Sequence, residues 1–220
     1  MRKSKQLLGL PVFSLEEGQQ IGKVKGLVVD PAKKAVVALV IEEKGWTKEQ
    51  KFIPFHLLHS VGEDAITVER TSALQKGASL PEIVRLARER LEVVGTRIVL
   101  ENGTILGQVD EFCIDLQTGE IVGLEFSEGV FSNVMQGRAY LDASFIRTLG
   151  RQVTVCTPEC LNHLVKIEGG FGDTIRAVKT TAGQVWTGAL HRSREITTGI
   201  KLPFRRRPKE EQAPPEEKQS

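Results

Sequence analysis

Three groups of residues in this 220-residue chain have types and spacing that could do chemistry. Cys156, Cys160 and His163, separated by three and two residues, form the most metal-like run. Zinc would need a fourth ligand, and Cys113 is the only other thiol. The spacing matches no zinc knuckle, and Cys113 falls in a strand pattern, where cysteine behaves as a small hydrophobe. His56 and His59 flank Leu57-Leu58, with Glu63 and Asp64 close in sequence. A His–carboxylate pair can move protons, but no nucleophile lies near, so both histidines read as surface residues. Gly169-Gly170-Phe171-Gly172 precedes no convincing helix and so lacks the positive helix terminus that lets such loops hold phosphate; it reads as a hinge. The residue types therefore point to no catalytic residue, no metal site and no cofactor.

Candidate contact residues lie elsewhere. Trp46 sits among Glu, Lys, Gly, Thr and Gln, and Val130, Phe131, Val134 and Met135 sit in a loop with Ser, Asn and Gly. Apolar side chains in polar loops serve as anchors for a partner, because Trp and Phe carry disproportionate interface energy. The competing reading tucks both loops over a barrel mouth or against the neighbouring unit. Arg205, Arg206 and Arg207 beside Phe204 could meet acidic lipid or RNA, although Glu210, Glu211, Glu216 and Glu217 follow and oppose them.

The elements that must position these residues are read from a duplication. Residues 18–41 set on 103–126 without a gap give six identities in 24: Gly18/Gly103, Gly22/Gly107, Val24/Val109, Asp30/Asp115, Val37/Val122 and Leu39/Leu124. Each copy reads as two strands joined by a tight turn. In both, the apolar alternation slips by one residue after Val24 or Val109, which predicts a β-bulge with Gly26 as a natural bulge residue. Asp30 and Asp115 open the turns and can accept from the turn amides. Gly119 supplies a left-handed residue where the first copy has Lys34. The return strands are expected to point Val37, Leu39 and Ile41 inward, matched by Val122, Leu124 and Phe126. A fourth strand follows at Lys51–Pro54 and Arg138–Leu141, then a connector, then a last strand at 65–69 and 152–156. Short strands at this spacing suit a small barrel, bent closed at its bulges.

Between the copies, Ser79–Leu91 reads as one helix. Ser79 and Glu82 have capping-box spacing, Pro81 lies in the first turn, and Leu80, Ile83, Val84, Ala87 and Leu91 share a face that must dock on a barrel. The copy pattern is expected to end after Glu159. The division that follows is 1–76 for the first barrel, 77–92 for the linker helix and 93–160 for the second barrel. Residues 161–202 form an extra C-terminal β-hairpin segment on the second barrel, and 203–220 a disordered tail rich in Pro, Glu and Lys.

Charge is uneven although the net is +2. Residues 93–160 carry 4 basic against 9 acidic side chains, and residues 161–207 carry 9 against 3. Either these two stretches attract each other, or the basic one meets an acidic partner. Three cysteines without framework spacing, a basic N-terminus broken by Gly9 and Pro11, and no long apolar run point to a cytoplasmic protein.

The Gly-x-x-x-Gly opening, the x-Gly-x-Val strand, the turn Asp and the apolar return strand resemble the PRC-barrel family. They are carried here by Gly18, Gly22, Val24, Asp30 and 37–41, and again by Gly103, Gly107, Val109, Asp115 and 122–126. The resemblance implies an all-β fold of two tandem small barrels, and modules that dock rather than catalyse. The expectation is a non-enzymatic bacterial adaptor with a protein partner, or with a second copy of itself. A ribosome- or RNA-associated assembly factor is the alternative, and a membrane-surface regulator a further one.

Overall fold

Each half of the duplication curls into a sheet of the same strand order, and the two sheets share a continuous apolar core. The computed structural model describes residues 1–43, 50–128 and 137–167. In chain order the strands are β1 (Arg2–Lys3), β2 (Pro11–Ser14), β3 (Gln19–Asp30), β4 (Ala35–Glu42), β5 (Lys51–Pro54), β6 (Leu58–Val61), β7 (Ile66–Val68) and β8 (Gln75–Lys76). The helix α1 (Pro81–Glu89) follows, then β9 (Arg97–Leu100), β10 (Ile105–Ile114), β11 (Ile121–Glu128), β12 (Arg138–Asp142), β13 (Ile146–Leu149), β14 (Val153–Cys156) and β15 (Val165–Ile167). The first sheet runs β6-β7-β2-β3-β4-β5-β8 and the second β13-β14-β9-β10-β11-β12-β15.

The long hairpins match position for position. Val24 faces Ile41 and Gly26 faces Val40, leaving Lys25 as the extra residue of a bulge. Val109 faces Phe126 and Glu111 faces Glu125, leaving Asp110. A second slip follows in both, at Val37 and at Val122. It corrects the expected inward set: Val36, Leu39 and Ile41, with Ile121, Leu124 and Phe126, enter the main core, and Val37 packs on the outer face. In a run of adjacent apolar residues the period-two signal cannot show which one is inserted.

Gly22 and Gly107 let β3 and β10 cross their partners closely. A Cβ on Gly22 would lie 2.8 Å from the Glu42 carbonyl oxygen, and one on Gly107 would overlap the carbonyl oxygen of Ser127. Past the hairpins, Lys51–Pro54 pairs as Ala139–Asp142 does, one residue later than the expected alignment. The copy pattern also continues beyond Glu159, because β15 lies beside β12 as β8 lies beside β5.

At the turns, Asp30 Oδ1 accepts from the amides of Ala32 (2.9 Å) and Lys33 (3.2 Å). Asp115 Oδ1 accepts from Gln117 (2.8 Å) and Thr118 (2.9 Å). Lys34 and Gly119 hold the left-handed position, with φ of 50° and 80°. The two turns meet: the Val36 amide donates to the Gly119 carbonyl and the Ile121 amide to the Lys34 carbonyl, both at 2.8 Å. Hydrogen bonds from the turn, the Thr118 amide foremost, hold the Asp115 carboxyl below its ordinary pKa. Its stabilisation is therefore complete above the unfolded-state value and is lost as pH falls through the folded one. Asp115→Ala is expected to cost about 1 kcal/mol near neutral pH, with the difference from wild type closing in acid; urea unfolding across pH measures it.

The helix starts at Pro81 with Leu80 at its N-cap, and no side chain caps it, so the Ser79–Glu82 capping box is absent. Ser79 belongs to a preceding short 3-10 turn. Leu86, which the periodicity had not placed on the apolar face, is the deepest helix residue and packs against Val28, Ala38 and Phe52 on the outside of the first sheet.

Candidate functional site

The outward row covered by α1 in the first barrel is apolar: Gly26 and Val28 on β3, Ala38 and Val40 on β4, Phe52 on β5. By register, the matching row of the second barrel is Glu111 and Cys113 on β10, Gly123 and Glu125 on β11, and Tyr140 on β12. Glu111 and Glu125 are buried, at 5% and 1% exposure. The residues that lie over them are the first few of the chain, since β1 pairs with β10 through Lys3–Cys113 and Arg2–Ile114. The segment preceding each barrel thus covers the other barrel's outer face.

Both carboxylates are fully engaged. Lys3 Nζ lies 2.7 Å from Glu125 Oε1 and 2.9 Å from Oε2, and Arg138 Nη2 lies 3.2 Å from Oε2. Ser4 Oγ donates to Glu111 Oε1, which also accepts from the Phe112 amide at 2.9 Å, while the Lys5 amide reaches Oε2 at 3.3 Å. Arg2 spans to the first barrel, donating to the Gly62 carbonyl. Tyr140 donates its hydroxyl to the Val122 carbonyl at 3.0 Å and lies across Gly123, where any Cβ would collide with its ring. Burial raises the Tyr140 phenol above its usual range. The Cys113 thiol is pushed up to about 12, by burial first and then by Glu125. The arrangement holds a cation and an extended strand beside a thiol and a phenol that burial keeps protonated.

The positions singled out by spacing do not assemble into a reactive centre. Cys156 and Cys160 are buried in the main core, and burial lifts their thiols to about 12 and about 11. His163 stacks on Phe145 with ring centroids 5.1 Å apart. His59 Nδ1 meets Glu69 Oε2 at 3.3 Å, on an exposed surface, in place of Glu63 or Asp64. Among the described residues no three His, Cys, Asp or Glu side chains converge as a metal site. All three cysteines are expected to resist a thiol reagent in the native protein and to react on denaturation, because the thiolate is the reactive form; a colorimetric thiol count checks this.

Trp46, Val130, Phe131, Val134, Met135, the glycine run at 169–172 and Arg205–Arg207 lie outside the described residues. Sequence reasoning missed the Glu111/Glu125 pair. The signal was available in the duplication, which sets Glu111 on Gly26 and Glu125 on Val40.

The model of the PRC-barrel domain matches residues 1–75 and again 90–159. The chain belongs to the PRC-barrel family. It carries two tandem PRC barrels, in a family whose domain is non-catalytic. A comparison with curated proteins finds no match. Among the described residues no helix of this PRC-barrel protein is long and apolar enough to cross a membrane.

Proposed function

We propose that this PRC-barrel protein is a non-enzymatic adaptor that presents the outer surfaces of two fixed barrels to a protein partner. The observation that carries the reading is the pair of matched turns, which exchange hydrogen bonds between Val36 and Gly119 and between Ile121 and Lys34. They lock two copies of one docking module in a defined relation, whereas their outer faces differ in character, apolar under α1 and acidic under β1. Duplicated modules with divergent faces suit simultaneous contacts, in which a second binding event gains from the first. The cytoplasm is the compartment that suits three unpaired, buried thiols.

The test is recovery of partners with the intact protein from its own cells, using wild type, Trp46→Ala and Phe131→Ala. A partner retained by wild type and depleted by either variant supports loop anchoring. Unchanged recovery in both removes the loops from the reading, and a chain that recovers no partner at all overturns the adaptor role. The ribosome- or RNA-associated alternative rests on the family likeness and on the basic segment 161–207, and the membrane-surface alternative on Arg205–Arg207, which lie outside the described residues.

A further inference from the structure

We propose that the face of the second barrel around Glu111, Cys113 and Glu125 is a docking site for an extended basic segment of a partner protein, a lysine or arginine followed by a small hydroxyl residue. In this proposal the chain's own Arg2-Lys3-Ser4 strand occupies the site as an internal stand-in. The inference deepens the adaptor reading and rests on it.

The fold does not require carboxylates at these positions. The first barrel builds the same strands with Gly26, Val28 and Val40 there, under the apolar face of α1. Taking two carboxylates out of water costs several kcal/mol each before any partner compensates, so well-packed apolar residues would stabilise the face at least as well. What such groups add is selectivity for the occupant.

The contacts read four features of that occupant. Glu125 places both oxygens on an ammonium, and Glu111 takes the next residue's hydroxyl on one oxygen and a backbone amide on the other. The β10 edge takes the main chain in register at Cys113 and Ile114. Main-chain pairing for affinity, with side-chain pockets for specificity, is the logic of strand addition. The Gly62 carbonyl selects a further basic residue immediately before the lysine.

The present occupant is built to leave. β1 is two residues long, and the Lys3 side chain is 40% exposed. Ser4 is the one buried residue of the segment before Leu7. When the strand departs, Arg138 stays beside Glu125 and the Phe112 amide stays on Glu111, while water reaches the oxygens that Ser4 and Lys5 release. A tether this short gives the strand an effective concentration on the order of millimolar, which a partner must exceed through longer pairing or a second contact.

The experiment uses the full chain and a fluorescein-labelled peptide of residues 1–7, Met-Arg-Lys-Ser-Lys-Gln-Leu, followed by anisotropy. Lys3→Ala is expected to bind the peptide about tenfold more tightly than wild type, because the tethered competitor is weakened. Lys3→Arg should exclude it as wild type does, Lys3→Ala/Glu125→Gln should lose the gain, and a peptide with glutamate in place of the first of its two lysines should not bind. Equal affinity for wild type and Lys3→Ala, a gain that survives Glu125→Gln, or equal binding of the glutamate peptide overturns the proposal. If Lys3→Ala does not fold, wild type answers: millimolar peptide should speed hydrogen exchange of the amides of residues 2–5, and unchanged exchange overturns it. A covalent dimer of the Lys3→Cys/Glu125→Cys chain, in place of an internal disulfide, would make a second copy the acceptor and sink the partner assignment. The peptide assay reads this face whatever the cell extract returns, so an empty partner recovery with a positive peptide result discards the adaptor role while keeping the site.

Discussion

Replacing Gly107 with alanine is expected to destabilise the protein by about 3 kcal/mol, which for a body of this size lowers Tm by roughly 10 °C. The added methyl group would overlap the Ser127 carbonyl oxygen and lie 3.0 Å from the Phe126 ring. Neither neighbour is free to yield. Phe126 is 3% exposed in the core, and Ser127 is held by pairing with both Gln108 and Arg138. β10 would have to lift off β11 close to the bulge at Asp110. Gly103→Ala is the control: its φ is +87° with nothing within 4 Å of the new Cβ, so only the left-handed backbone is charged, at roughly 1 kcal/mol. Thermal and urea unfolding of the two variants should separate them clearly; equal losses would mean that the close crossing of β10 and β11 is not what the glycine is for.

The second large effect belongs to a pair. Lys3→Ala/Arg138→Ala is expected to lose about 3–5 kcal/mol, the cost of leaving Glu125 buried without a counter-charge. Each single change should cost much less, because Glu125 keeps the other cation. The shortfall of the summed singles is the diagnostic, and a double-mutant cycle by urea unfolding reads it directly. Strict additivity would show that water reaches Glu125 once Lys3 is gone. Restoring the double variant with Glu125→Gln should recover most of the loss, since an amide no longer demands a cation.

Much of the architecture was legible because both copies repeat the same local chemistry. Gly22 and Gly107, Asp30 and Asp115, and the shared phase slip after Val24 and Val109 each demand one backbone solution, and each appears twice. The misses have a common cause. Val36-Val37 and Ile121-Val122 are adjacent apolar residues, so burial of either satisfies the pattern, and only pairing across the sheet chooses between them. Leu86 and the capping of α1 were decided by packing on Val28 and Phe52, a contact between distant parts of the chain. The destination of β1 was likewise invisible, since Lys3 and Glu125 stand 122 residues apart and nothing local to Arg2-Lys3 announces a strand. The acidic face was the one feature within reach: a charged residue wherever the sister copy is apolar is a difference that an alignment of the copies displays.

The meeting of the two turns carries an implication for where the chain came from. A contact in which position 36 greets 119 while 121 greets 34 is self-complementary, so a lone barrel could form it with an identical twin. Joining the two halves in one chain makes their encounter independent of concentration. The same flank now differs between the halves, greasy under a helix in one and bearing two carboxylates under a strand in the other.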